Sequence, residues 1–340
     1  MKRVFLVTLM LCAFAFVVNT ATAKEPIKII FDTDMGNDVD DVVALDMFYK
    51  YMDEGKVNLL GIISSKREGG SVKFIDAMNT LYGYPNIPVG IVKTYPEEEG
   101  YVCEDTRLNY ADYTVAAHNY KHTIADWDAV EDGYKLIRKL LAAQPDKSVT
   151  FVTVGFSTNM ARLLASKGDE YSQLDGKSLM AQKAEKVVIM AGNFHEKKKE
   201  YNVYKDHFAA VRFFAECPVP MYFTDVVLGK STLYPYQTVE RAFNYTENHP
   251  LVVAFNYYAK MPYNRPLWDP TAVLFAVEGH KGYASLSKSG YVTVDQKSIT
   301  DFTEDKGSNR YYYKVNDKQR AAIVRRIVEV TSRLPKKINK

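Results

Sequence analysis

Short apolar runs with strand character alternate with stretches of helical spacing along most of this chain, and that rhythm restricts its fold more than any other feature. Strands are predicted over residues 27–31, 57–64, 87–92, 149–154, 187–190 and 220–223. Apolar residues recur at helical spacing over 42–52, 74–82, 133–143, 160–166, 207–214, 252–260, 271–277 and 318–334. Gly83 and Pro85 close one of these helices and Pro145 follows another, as helix stops do. Strands separated by helices need crossover connections. The expected fold class is therefore α/β: a single domain with a largely parallel open sheet and helices on both faces. At 47% hydrophobic residues in 340, the chain can fill such a core, and no linker or repeat divides it. Ligands of such sheets gather at the carboxyl ends of the strands, so the residues just after each strand are the candidates for chemistry.

Residues 1–23 stand outside that rhythm. Lys2 and Arg3 precede an apolar stretch over 4–18, and Ala21-Thr22-Ala23 offers a small-residue cleavage site. This reads as a signal peptide, with the domain over 24–340 and export to the periplasm or the medium. The stretch is short for a membrane span, which takes about 20 apolar residues. Leu11 before Cys12 is too bulky for a lipidation signal, and no later segment is suited to cross a bilayer. Cys103 and Cys217 then remain, and one pair makes no disulfide framework; Cys217, just before a predicted strand, reads as a small buried side chain. The formal charge is only +3, with charges mixed along the chain. Lys197-Lys198-Lys199 is the sole local basic cluster and reads as a solvated loop, so nucleic acid is not an expected partner.

The densest chemistry follows the first strand: Asp32-Thr33-Asp34-Met35-Gly36-Asn37-Asp38-Val39-Asp40-Asp41. Five carboxylates this close repel one another strongly. The helix start near Asp40 and Asp41 relieves part of that. A hard divalent cation would relieve more, and carboxylate oxygens suit calcium or magnesium. The pattern is not an EF-hand, because Gly36 comes one place early and Val43 stands where the bidentate Glu belongs.

This segment resembles the signature of the inosine–uridine-preferring nucleoside hydrolase family, usually Asp-Thr-Asp-Pro-Gly-x-Asp-Asp. Met35 replaces the proline, and two extra residues lie between Gly36 and the Asp-Asp pair. Asp34 matches the family's second aspartate and Asp40-Asp41 the pair. Further matches follow in order: Asn79, Tyr82-Gly83 and Ile87-Pro88-Val89-Gly90; Val152-Thr153-Val154-Gly155-Phe156-Ser157-Thr158-Asn159; Met190-Ala191-Gly192-Asn193; Glu200-Tyr201-Asn202; and Trp268-Asp269-Pro270. Their shared order from residue 27 to about 277 carries the resemblance.

The resemblance implies calcium-dependent hydrolysis of a small ribonucleoside to free base and ribose. It assigns the calcium to Asp34, Asp41, Asp269 and the Val154 carbonyl, where the ion would fix a water and the ribose diol. Asp34 would be the general base. Asp40, Asn193, Glu200 and Asn202 would bind the sugar, and Asp40 would also steady charge developing on it in an oxocarbenium-like transition state. Trp268 stands where members that accept many bases carry a histidine. It resembles the purine-preferring branch, where tryptophan stacks on the base. Tyr101, Tyr110 and Tyr113 are candidates for a second stacking ring. The sequence leaves a homo-oligomer open.

Plainer readings stand beside these. Asp269 before Pro270 suits a helix N-cap, and Trp268 suits core packing. Residues 64–70 lack the asparagine that the family brings to the ribose, which motivates a non-catalytic riboside-binding protein as the alternative. A haloacid-dehalogenase-like phosphatase also carries Asp-x-Asp after its first strand, but Gly36 occupies its Thr/Val position and no later Gly-Asp-x-x-x-Asp follows.

Overall fold

A computed structural model describes residues 25–67, 69–93 and 109–338. Residues 1–23, Tyr101 and Cys103 lie outside the described residues. The strands are β1 (Ile27–Thr33), β2 (Val57–Ser64), β3 (Val89–Ile91), β4 (Glu131–Asp132), β5 (Val149–Thr153), β6 (Ala184–Met190) and β7 (Met221–Thr224). They continue as β8 (Leu233–Tyr234), β9 (Arg265–Pro266), β10 (Ser285–Leu286), β11 (Gly290–Val294), β12 (Thr300–Glu304) and β13 (Arg310–Lys314). The main sheet runs β12-β11-β13-β7-β6-β5-β1-β2-β3-β4, with β10 paired to β13, while β8 and β9 form a separate ribbon.

Every neighbouring pair from β4 to β13 is parallel. Parallel strands buried on both faces read as unbroken apolar runs. β1 shows why: Ile29 and Phe31 join one hydrophobic cluster, and Ile30, between them, joins the other. β5 and β6 divide likewise, with Val152 and Val188 on the first face and Phe151, Val187 and Ile189 on the second. The two clusters are the helix-covered faces of one sheet, so the expected α/β architecture holds.

The sequence did not announce the sheet's far edge, where β10, β11 and β12 are antiparallel. β13 reaches it by passing between β11 and β7. The outermost strand, β12, exposes Asp301 and Glu304, charges that discourage another chain from pairing there. The helix Asp317–Thr331 follows and packs on the helix Asp40–Asp53, where Lys50 Nζ donates to the Thr331 carbonyl at 3.2 Å. Cys217 is buried as expected, and burial pushes its thiol up to about 11. Among the described residues no helix is long and apolar enough to cross a membrane.

Strand order reverses beside β1. β2, β3 and β4 follow on one side, β5, β6 and β7 on the other. At such a switch point the two connections leave in opposite directions and open a crevice above the carboxyl ends. Asp34 lies just past the end of β1, and Val154 just past β5.

Candidate active site

A cavity of about 430 Å³ opens at this switch point. Asp34, Asp40 and Asp269 line it together with Val154, Glu200, Asn202 and Trp268. Close backbone packing creates its floor. Val154 N donates to the Asp32 carbonyl at 2.8 Å, and a Cβ at Gly155 would overlap the backbone nitrogen of Asp34. Only glycine lets the turn after β5 lie against the end of β1 and carry the Val154 carbonyl to the aspartates.

Asp40 and Asp41 occupy the first turn of the helix Asp40–Asp53, where its dipole favours negative charge. Asp41 Oδ1 accepts a short hydrogen bond from the Thr33 hydroxyl, and Asp41 Oδ2 has no protein partner. Asp40 Oδ2 accepts from the backbone of Asp269 at 3.0 Å, and Asp40 Oδ1 is likewise unpartnered. Asp34 Oδ2 accepts from Asn37 Nδ2 at 2.6 Å, while Asn37 Oδ1 accepts from Lys66 Nζ at 2.7 Å. Asp38 is engaged differently. Arg265 grips both its oxygens, from Nε at 2.7 Å and from Nη2. The helix Trp268–Glu278 begins at Trp268, so Asp269 sits inside its first turn instead of capping it.

Burial dominates the electrostatics. It raises the Asp40, Asp41 and Asp269 carboxyls well above the ordinary range, and their mutual repulsion adds to the effect. Burial brings Asp34 up to about 6 against the opposing pull of Asn37 and Lys66. It brings Glu200 up to about 7, although backbone N–H groups of Asn202, Val203 and Gly192 bond its carboxylate and pull the other way. Such desolvated, mutually repelling carboxylates mark a functional site.

Two buried carboxylate oxygens without partners, beside Asp34, Asp269 and a backbone carbonyl, make an all-oxygen donor set of the chemistry calcium takes. Among the described residues, no three His, Cys, Asp or Glu side chains already form a metal cage. Asn37 Nδ2 bonds one oxygen of Asp34, and Asn202 Nδ2 donates to the Val154 carbonyl at 2.7 Å; each acceptor keeps a further lone pair for an ion. The residues fit the ion.

One wall is aromatic. Trp268 Nε1 donates to the Val226 carbonyl at 2.9 Å, and Tyr258 also lines the cavity. The Arg265 guanidinium lies 4.6 Å from the Tyr258 ring and 5.2 Å from that of Trp268. Gly229 permits this placement, because a Cβ there would collide with the indole.

The structure therefore gathers Asp34, Asp40, Val154, Glu200, Asn202, Trp268 and Asp269 at one cavity, with Asp41 behind them. Asn193 is a correction. It is not among the lining residues; its Oδ1 accepts from the backbone of Glu196 at 2.9 Å and closes its own turn. Tyr110 is a second correction: it is buried in the core, with its hydroxyl on Met35 Sδ. Tyr113 stacks on Tyr257 and does not line the cavity either. Sequence reasoning missed Asn37, Lys66, Tyr258 and Arg265.

The open α/β sheet that carries this crevice is the fold of known ribonucleoside hydrolases, enzymes acting on N-glycosyl bonds. The chain belongs to the inosine-uridine preferring nucleoside hydrolase family, whose model it matches over residues 29–331. Its fold is similar to a plant nucleoside hydrolase, at 16% identity and a TM-score of 0.68, covering 90% of this chain and 99% of that one. A purine-preferring ribonucleoside hydrolase from Gardnerella vaginalis gives 18% and 0.67, with coverage of 90% and 99%. An inosine-uridine preferring nucleoside hydrolase from Bacillus anthracis gives 17% and 0.62, with coverage of 89% and 99%. No curated protein sequence matches the chain significantly.

Proposed function

We propose that this cavity cleaves purine ribonucleosides to free base and ribose, with calcium at Asp34, Asp41, Asp269 and the Val154 carbonyl. The observation that carries the proposal is the presence of buried carboxylates and a half-buried indole in the lining of one crevice. Calcium bound there supplies Lewis acidity and neutralises the carboxylates. Asp34 lies in the cavity lining, where its carboxylate would take a proton from attacking water as general base. Asp40, Glu200 and Asn202 hold ribose hydroxyls and fix the anomeric carbon in reach of that water. Glu200, at about 7, can donate as well as accept a hydrogen bond. Trp268 and Tyr258 present π-faces to the leaving base, and purines overlap them more than pyrimidines do.

Reducing-sugar and free-base release across a nucleoside panel tests this. Inosine, guanosine or adenosine should be cleaved faster than uridine or cytidine. A chelator should abolish turnover and calcium restore it. The segment Ser64-Ser65-Lys66 favours the alternative, because no asparagine stands there to meet the ribose. Tight riboside binding without ribose release from any nucleoside would establish that reading. Residues 1–23 support export as the accompanying proposal.

A further inference from the structure

Lys66 follows β2 and is 2% exposed. A buried ammonium is costly unless opposite charge and hydrogen bonds compensate it. This one is spent on the aspartate cluster. Its Nζ donates to Asn37 Oδ1 at 2.7 Å, and Asn37 Nδ2 donates to Asp34 Oδ2 at 2.6 Å. The amide has only one workable orientation, because an ammonium can only donate and a carboxylate can only accept. A directed relay therefore runs from a fixed positive charge to the carboxylate nearest the Val154 turn. The positive charge also acts through space, pulling the Asp34 and Asp41 carboxyls down against burial.

We propose that Lys66 is a resident counter-ion of the aspartate cluster, which holds Asp34 through Asn37 and opposes a divalent cation for the same carboxylates. It is a positioning residue, and the inference rests on the calcium reading above. Two consequences follow from one charge. Without the metal, Lys66 keeps the cluster organised and partly neutralised. With it, a fixed cation repels the incoming dication, and Asn37 competes with the ion for Asp34 Oδ2. Calcium affinity is then set lower than the carboxylates alone would set it.

Calcium titration by calorimetry, with melting curves in chelator and in saturating calcium, tests this on the wild type, Lys66→Met and Lys66→Arg. Lys66→Met should bind calcium roughly tenfold more tightly, since a like charge near the ion is gone. It should melt lower than wild type in chelator and recover most of the difference in calcium. Lys66→Arg should keep the wild-type affinity. Unchanged or weaker calcium binding by Lys66→Met overturns the inference while leaving the calcium site standing. So does a melting loss of equal size with and without calcium, which is what a packing role alone produces. Asn37→Leu cuts the relay and keeps the charge, and serves if Lys66→Met does not fold. It should tighten calcium by a smaller factor, and weaker binding refutes the relay. If neither wild type nor any variant binds calcium, the metal reading fails and takes this inference with it.

Discussion

Asp38 and Asp41 share a charge and a loop but answer to different partners. Both oxygens of Asp38 are committed to Arg265, whereas Asp41 leaves Oδ2 bare beside the cavity. The residues added after Gly36 supply both cross-links of the loop: Asn37 to Lys66, and Asp38 to Arg265. They brace the motif from two sides. Removing a ligand carboxylate should cost more metal affinity than removing a bracing one, whose loss typically costs about 10–100-fold. Asp41→Asn should therefore weaken calcium binding by more than about 100-fold, and Asp38→Asn by clearly less, at most about 10- to 100-fold. Calorimetry distinguishes them, and a loss at Asp38 equal to that at Asp41 would show that the motif is aligned wrongly.

At the scale of elements, the aromatic wall depends on the helix Val226–Lys230 meeting the start of the helix Trp268–Glu278. Stacking on an aromatic side chain contributes about 1–3 kcal/mol per base, so Trp268→Ala should lower purine kcat/KM by roughly 5- to 150-fold and leave calcium affinity nearly unchanged. Gly229→Ala should lower purine turnover as well, but the added methyl also meets the Trp268 Cα beside Asp269, so calcium affinity should fall with it. Undiminished inosine turnover by Trp268→Ala would remove the base-stacking role. The elements that carry the site were legible because parallel strands announce themselves: β1, β2 and β5 are apolar runs, and the aspartates follow the first directly. The braces were not legible. Arg265 and Asp38 are 227 residues apart, and an ion pair across that distance leaves no periodic trace. Tyr258 fell within a helix read correctly, yet nothing local says which side of that helix meets a cavity. Asn193 misled for the opposite reason. Asparagine is a common turn former, and its backbone-capping use was the simpler reading. The edge strands were readable in principle: in β11, Gly290 and Val292 are buried while Tyr291 and Thr293 are exposed, a two-residue period.

Across the whole molecule, burying so many carboxyls ties stability to pH. Burial raises Asp34 to about 6, Glu200 to about 7 and Asp206 to about 6. Each holds its proton more tightly folded than unfolded. Its stabilising contribution is thus complete below the unfolded value of about 4 and is lost as pH rises through about 6 to 7. Calcium-free protein should melt several degrees higher at pH 5 than at pH 7.5, and saturating calcium should shrink that difference. Scanning calorimetry at the two pH values decides it; a calcium-free melting point that rises with pH would contradict the burial of these groups.

The joining of Asp40 to the backbone of Asp269 spans 229 residues, and the helix that begins at Asp40 is held at its far end by Thr331. Contacts of such separation form late, because a long loop must close before they can form. A growing chain presents Asp34, Asp38 and Asp40 together with Asn37 and Lys66, but Arg265 and Asp269 follow 227 and 229 residues after the aspartates they meet. β13 must also slip between two strands already made. A chain that stops short of Trp268 and Asp269 lacks part of the lining, so the pocket is complete only once that distant segment has joined Asp40.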